Sequence, residues 1–374
     1  MKTKIEWVHW KDLPIGLMKS FSKAFTENKS TELISNVETE YRILKVADGI
    51  CFPVTINNTE WDSSFVCSPY TAYALYSKDE LKQKINSRLI QYPLLLIIQL
   101  LAKWLRYGQI NKNIHINNFL LSTNPYPEWS GIEIAEITNF IKKEYPNHAI
   151  IFRSLNQFQH QHLLTIFKKN DYLLIGSRQV YIYDLTQESW LKHKNNKHDL
   201  ALIKKQNLTY IDHAGMEPFL EEALQLYQML YLEKYSKYNP QFTLKYFKTC
   251  YNEGIVYFQG YKNSENILKS FSGLFIIENT ITSPLVGYDT AAPQKDGLYI
   301  HAAQLALLYK FRSNLLLNLS SGAPKFKRMR GGEPSIEYSA VYMKHLSTKR
   351  KITMILLQFI SNKIGVPLME KYEL

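Results

Sequence analysis

The chain has 374 residues, 45% hydrophobic and 21% charged, with sparse glycine and proline, which excludes a disordered or fibrous chain and leaves room for two cores. A formal net charge of +12 favours an acidic partner such as RNA, anionic lipid, an acidic carrier protein or a phosphate-rich cofactor. The plainer alternative places the lysines on solvated faces.

The surplus is uneven. Gly322 to Lys351 holds eight Lys/Arg and two Glu; Lys192 to Lys205 holds five Lys and one Asp. Cys51, Cys67 and Cys250 form no CxxC pair, so neither zinc nor a disulfide framework is expected, and reduced thiols suit a cytosolic setting. The start, MKTKIEWVHWKDLP, lacks the apolar core of a secretory leader. The ten histidines show no metal-ligand spacing, and His160 and His162 read as surface residues. Neither a GxSxG elbow nor a Walker-type loop occurs.

In chain order, residues 1 to about 60 read as an irregular lead-in with one or two strands. Asn86 to Tyr107 reads as an apolar helix. Its most apolar stretch, Leu94 to Ala102, is too short to span a bilayer, so burial is expected; surface docking through Lys103 and Arg106 is the alternative. A strand is expected over 113–122. Gly131 to Tyr145 follows as a helix with Ile134, Ile137 and Ile141 on one side, stopped by Pro146. A buried strand (148–155), a short helix (162–169) and a strand pair broken at Gly176–Ser177 close a first domain. Arg153 and Arg178 fall at its strand ends, where a structural ion pair is expected.

The polar segment 190–215 reads as a connector. A second pass then runs helix (218–235), helix (243–253), strand (254–261), hairpin (272–289), helix (297–312) and strand (315–322). A short basic turn, a strand (335–343) and a last helix (352–364) complete it. The passes share element order, which predicts two α/β domains, 1–205 and 206–374, each a mixed sheet flanked by helices.

Candidate chemistry concentrates in the second. In SSGAPKFKRMRGG, Gly322, Gly331 and Gly332 allow tight turns or close backbone approach, beside Ser321 and the cations Lys325, Lys327, Arg328 and Arg330. This suits phosphate or carboxylate at a strand end. GYDT then PQKDGLY follows another strand and opens a helix, with Asp296 as the expected N-cap. Tyr288 and Asp289 are placed to position an amine, with a turn cap the alternative for Asp289.

These segments together resemble the acyl-CoA N-acyltransferase (GNAT) superfamily, specifically its double-GNAT branch of Fem-type aminoacyltransferases and cellulose-biosynthesis-like acetyltransferases. Gln294 and Gly297 match half of that superfamily's Q/R-x-x-G-x-G/A signature, and Tyr299 stands at its last position. Gly322, Phe326–Lys327 and Arg330–Gly331 match the glycine loop and aromatic–Lys pair of the branch. The resemblance implies two tandem GNAT-like domains and an N-acyltransferase that needs no metal. It moves an acyl or aminoacyl group from acyl-CoA, acyl carrier protein or aminoacyl-tRNA onto an amine. It implies Lys327 as the oxyanion stabiliser, held by Phe326 through a cation–π contact, and a donor lying along Gln294, Gly297, Ser321, Gly322, Lys325, Arg328, Arg330 and Gly331. The alternatives are a non-catalytic RNA-binding module and a membrane-peripheral enzyme acting on a lipid-linked amine. A cytoplasmic setting is expected, peripheral to the membrane in the last case.

Overall fold

The structure is a computed structural model, and it describes residues 4–47 and 49–372. The strands are β1 (Glu6–Val8), β2 (Glu40–Ala47), β3 (Ile50–Asn57), β4 (Asn113–Ile116), β5 (Ala149–Asn156), β6 (Leu173–Tyr183), β7 (Thr209–Ile211), β8 (Tyr257–Lys262), β9 (Leu268–Ile277), β10 (Thr280–Tyr288), β11 (Leu316–Asn318) and β12 (Glu333–Tyr342). The helices are α1 (Leu17–Glu27), α2 (Ser30–Leu33), α3 (Ser77–Lys84), α4 (Arg88–Tyr107), α5 (Ile134–Glu144), α6 (Gln157–Lys169), α7 (Gln187–Lys192), α8 (Lys194–Lys205), α9 (Leu220–Tyr227), α10 (Leu244–Asn252), α11 (Leu298–Ser313), α12 (Pro324–Arg328), α13 (Thr348–Ile360) and α14 (Val366–Tyr372).

The chain forms two compact α/β units, and their division does not follow the 205/206 boundary. The first holds 1–179, 238–240 and 335–374; the second holds 180–237 and 241–334. The reason is β12. It pairs antiparallel with β5, Val341 opposite Ile151 and Ala340 opposite Phe152, so the last strand of the chain completes the first unit. Chain order gives no warning of such a return.

In the first unit β1, β2, β3 and β4 run antiparallel, β4 and β5 run parallel, and β12 closes the ladder. Side chains alternate along β5 with the two-residue period of a strand. Ile150 and Phe152 enter a core with Ile134, Ile137 and Ile141 of α5 and Phe167 of α6. Ala149 and Ile151 enter another with Leu101 and Leu105 of α4 and Met354 and Leu357 of α13. Both faces are covered, which is why β5 is apolar throughout its first half.

The second unit repeats the plan. β7, β8, β9 and β10 run antiparallel, β10 and β11 run parallel, and β6 closes the ladder antiparallel to β11. One face packs Leu274, Ile281 and Leu317 against Ala306 and Leu307 of α11 and Trp190 of α7. On the α10 side, Phe247 meets Phe258 and Phe271 at ring-centroid distances of 5.7 and 6.1 Å.

Several expectations are corrected. The lead-in is ordered, with α1, α2, β1, β2 and β3 inside it. The strand expected over 113–122 stops at Ile116, and β6 is one strand rather than a pair broken at Gly176. The connector 190–215 holds α8 and β7. α4 is largely exposed, not buried. His160 turns its Nδ1 back to accept from the Asn156 amide at 3.2 Å, and burial lowers its pKa to about 4.

α9 lies so close to β10 that a Cβ on Gly287 would meet the Leu226 carbonyl carbon at 2.6 Å and the Tyr227 nitrogen at 2.7 Å. Backbone cannot move aside as a flexible side-chain end can. Gly287→Ala is therefore expected to destabilise the protein by about 1–3 kcal/mol in urea unfolding. An unchanged midpoint means that this helix–strand contact is looser than described.

Candidate functional site

The two units differ at one place in their shared plan. In the second, the parallel pair holds only from Thr280–Leu316 to Thr282–Asn318. β10 is irregular between Thr282 and Leu285, then continues along β9 as far as Tyr288 opposite Ser270. The chain after β11 follows β6 instead: the Leu319 amide donates to the Tyr181 carbonyl (3.0 Å) and the Tyr181 amide to the Ser320 carbonyl (3.1 Å). The parallel strands thus part at their carboxyl ends, where α/β sheets take ligands.

In the first unit β4 and β5 likewise part, beyond Ile116–Phe152. There the chain itself occupies the place. The Asn124 amide donates to Ser154 Oγ (2.9 Å), Tyr126 Oη donates to the Arg153 carbonyl (2.6 Å), and Asn118 Nδ2 donates to Thr55 Oγ1 (2.8 Å). Asn117, Asn118, Leu120 and Asn124 are fully buried.

In the second unit the corresponding connection, 289–297, is short and mostly exposed or half-buried. It delivers the chain to α11 through Gly297, which sits in the left-handed region at φ 61° and is the N-cap in place of Asp296. Among the described residues, no side chain caps this helix. The amides of its first turn lack intrahelical acceptors and carry the positive end of the helix dipole. Gln294 is exposed just before it.

Aromatic contacts join the three sequence segments. Tyr299, in the first turn of α11, meets Tyr288 at the end of β10 (5.6 Å between centroids) and Phe326 of α12 (4.6 Å). Burial among Tyr235, Tyr231, Tyr183 and Tyr288 pushes the Tyr299 phenol well above its ordinary pKa, so it remains a protonated donor. Lys234 Nζ donates to Tyr288 Oη at 2.8 Å, and that bond raises the pKa of the ammonium.

The expected roles of the cations divide. Lys327 is buried, and its Nζ donates to the carbonyls of Leu319 (2.7 Å), Ser320 (3.2 Å) and Ser321 (2.8 Å). An ammonium has three donors, so none is left for an oxyanion. Its aromatic neighbour is Tyr181, 5.6 Å away, and not Phe326. Phe326 carries the Arg330 guanidinium at 3.4 Å over its ring. Arg330 is not open to a donor either. Its Nε and Nη2 donate to Asp199 Oδ2 (2.6 Å) and Oδ1 (2.8 Å), and its Nη1 to the Phe326 carbonyl. Gln304 Nε2 donates to the same carboxylate at 2.8 Å.

Asp289 takes the turn-cap role: its Oδ1 accepts from the Ala291 amide (3.1 Å) and its Oδ2 from Lys269 Nζ (3.2 Å). Gly331 makes a tight turn at φ 91° beside His193 and Leu185. Lys325 and Arg328 are exposed, and Ser321 and Gly322 are half-buried. Sequence reasoning missed Asp199 and the packing of Tyr299. Asp199 had a signal, as the lone acid in a lysine-rich segment. In the first unit, Arg178 does form an ion pair, but with Glu337 of β12 (2.8 Å), while Arg153 Nη1 donates to the Val66 carbonyl (2.6 Å).

No family model matches the sequence, and no curated protein matches it. Solved structures of similar shape include L-PGS from Bacillus licheniformis (14% identity, TM-score 0.44, covering 62% of this chain and 78% of that one). FemX is similar at 12% identity and TM-score 0.43, covering 60% and 78%. A tandem GNAT protein from the clavulanic acid biosynthesis pathway is similar at 7% identity and TM-score 0.39, covering 90% and 98%.

Two outcomes follow from the charge contacts. Lys327→Met strips three carbonyls of their donor and is expected to cost about 2–4 kcal/mol in urea unfolding. Lys325→Met, on the exposed side of the same helix, should stay within about 0.5 kcal/mol; equal stability of the two variants would refute the loop-fastening role. Asp199→Ala leaves a buried guanidinium without its counter-charge, and a loss of about 3–5 kcal/mol is expected in the same measurement.

Proposed function

We infer that the second unit is an acyltransferase domain that binds an activated acyl donor where β10 and β11 part and passes the acyl group to an amine. One observation carries this: the parallel strands separate directly before the uncapped first turn of α11. Free helix amides suit the phosphates of a nucleotide-bearing donor, and the unpaired edge of β10 past Thr282 offers main-chain groups to an extended acyl or pantetheine-like chain.

In the proposed reaction the lone pair of a neutral amine attacks the thioester or ester carbonyl. The tetrahedral intermediate collapses with expulsion of the thiolate or alkoxide, and the proton lost by the amine goes to that leaving group. With Lys327 fully engaged, main-chain N–H groups of the β10 edge are the assigned oxyanion donors. Tyr288 and Tyr299 wall the site, and the Tyr299 phenol, which keeps its own proton, is suited to hydrogen-bond the leaving group while that group takes the proton lost by the amine. Phe326 and Arg330 act at one remove, by holding Tyr299. Gln294, Gly297, Ser321, Gly322, Lys325 and Arg328 surround the donor end in this reading. Acyl-CoA, acyl carrier protein and aminoacyl-tRNA each carry phosphate as well as an activated carbonyl, and each fits this reading as the donor.

Purified protein incubated with each of these donor classes and a panel of amines should release free thiol or deacylated tRNA with one of them. In the active pairing, Lys325→Glu is expected to raise the donor KM by about three- to tenfold and lower its salt dependence, with kcat little changed. No turnover and no binding of any donor would remove the acyltransferase reading. Salt-steep RNA binding without donor turnover would put an RNA-binding module in its place.

A further inference from the structure

The first unit presents an apolar face that its own fold leaves open. α4 rests on the core through Leu101 and Leu105, both buried. Its opposite side should then be polar by the ordinary rule for a surface helix. Instead Leu89, Tyr92, Leu96, Leu100, Trp104 and Tyr107 are exposed there, at helical spacing along the whole helix. Leu96 is 56% exposed.

α13 does the same. Met354 and Leu357 face that core, and Ile352, Ile355 and Phe359 face outward, Phe359 with 59% exposure. The stripes meet at one end. Lys349 Nζ lies 3.5 Å from the centroid of the Tyr107 ring, and Arg350 Nε donates to the Gly108 carbonyl at 3.2 Å. A Cβ on Gly108 would run into the Thr353 side chain, so Thr353 of α13 packs directly on the backbone that ends α4. Two exposed stripes on helices that share a core make one surface, well beyond the scattered apolar residues of an ordinary exterior.

The charges on these helices have one sign. Neither α4 nor α13 contains Asp or Glu. Arg88, Lys103, Lys349 and Lys363 are exposed along or beside the stripes. Trp104, Tyr92 and Tyr107 are residue types that settle at the level of lipid headgroups, and long lysine stems reach past apolar surface to place their ammonium in water. A second copy of the chain is a poor occupant, since self-pairing would set these cations against one another.

We propose that the outer faces of α4 and α13 form a docking surface for an anionic lipid bilayer, on which the helices lie in the interface plane. The apolar stripe enters the headgroup boundary and the cations meet lipid phosphates. This goes beyond acyl transfer and does not depend on it, because the surface lies wholly in the first unit and its test uses neither donor nor acceptor.

The test is flotation of the full chain with vesicles of phosphatidylcholine alone or of phosphatidylcholine with phosphatidylglycerol. The protein should float with the anionic vesicles and much less with the neutral ones. Leu100→Glu and Phe359→Glu replace exposed side chains and should leave thermal unfolding unchanged while weakening vesicle binding about tenfold or more. Lys103→Glu with Lys349→Glu spares the apolar stripe, serving even if the first pair misfolds. Each lysine lost near the surface should lower binding to anionic vesicles by roughly fivefold, with little effect on neutral ones. Protein that stays in the soluble fraction with both vesicle types overturns the proposal. So does wild-type flotation of every variant, or a dimer in sedimentation that Leu100→Glu dissociates while the wild type fails to float.

Discussion

An ammonium group has three protons to donate, and Lys327 directs all three at one turn of chain. The carbonyls of Leu319, Ser320 and Ser321 are drawn to one point, and Ser320 also accepts from the Tyr181 amide. The main-chain bonds with Tyr181 fasten the chain leaving β11 to β6, and Lys327 gathers the turn that follows. Since that chain follows β6, it cannot follow β10, and β10 continues along β9. The parallel strands therefore part where the chain after β11 takes β6 as its partner, and one buried cation holds the turn at that point. The turn bears the strain of this arrangement: Ser320 and Ala323, neither a glycine, hold φ of 57° and 47°.

A second buried cation fixes the opposite wall. Arg330 is gripped through two N–H groups by Asp199, and its guanidinium covers the face of Phe326. Phe326 meets Tyr299, which sets the first turn of α11 against α12. A lysine in place of Arg330 could satisfy Asp199 in charge but could not supply the planar two-pronged contact while stacking on the ring. These side chains thus position groups around the opening without being placed to touch a ligand themselves.

The sequence made the repeated α/β plan legible because periodicity survives without any knowledge of partners. α5, with Ile134, Ile137 and Ile141 buried, and the hairpin of β9 and β10 are found within a few residues of where the pattern puts them. The convergence of GYDT, the start of α11 and the basic turn was legible as three features at strand ends. The fates of individual charges were not. Nothing in KFKRMR says that its second lysine and last arginine are buried while Lys325 is exposed, because that depends on Asp199 and on carbonyls across the fold. The segment around Asp199 read as a loop because its polar composition masks a helix whose few buried residues include an acid. α4 was misread for the converse reason: its apolar side is as regular as that of a buried helix, and the sequence does not say that much of that side points away from the core.

The two units show how one plan yields unlike interiors. Each has a parallel pair at the same place in its ladder, and in each the pair diverges. What differs is the chain that leaves the first strand of the pair. After β4 it is long enough to turn back, and asparagines satisfy its buried main chain: Asn117 Nδ2 donates to the Pro125 carbonyl and Asn124 Oδ1 accepts from the Phe119 amide. A buried loop needs such partners, because its backbone groups have lost water. After β10 the connection is short and reaches α11 directly, with no comparable set of asparagines. Filling the first opening adds buried contacts; in the proposed reading the second keeps the strand edge and the helix amides for a ligand. That asymmetry, rather than any single reactive side chain, is why the chemistry is assigned to the second unit.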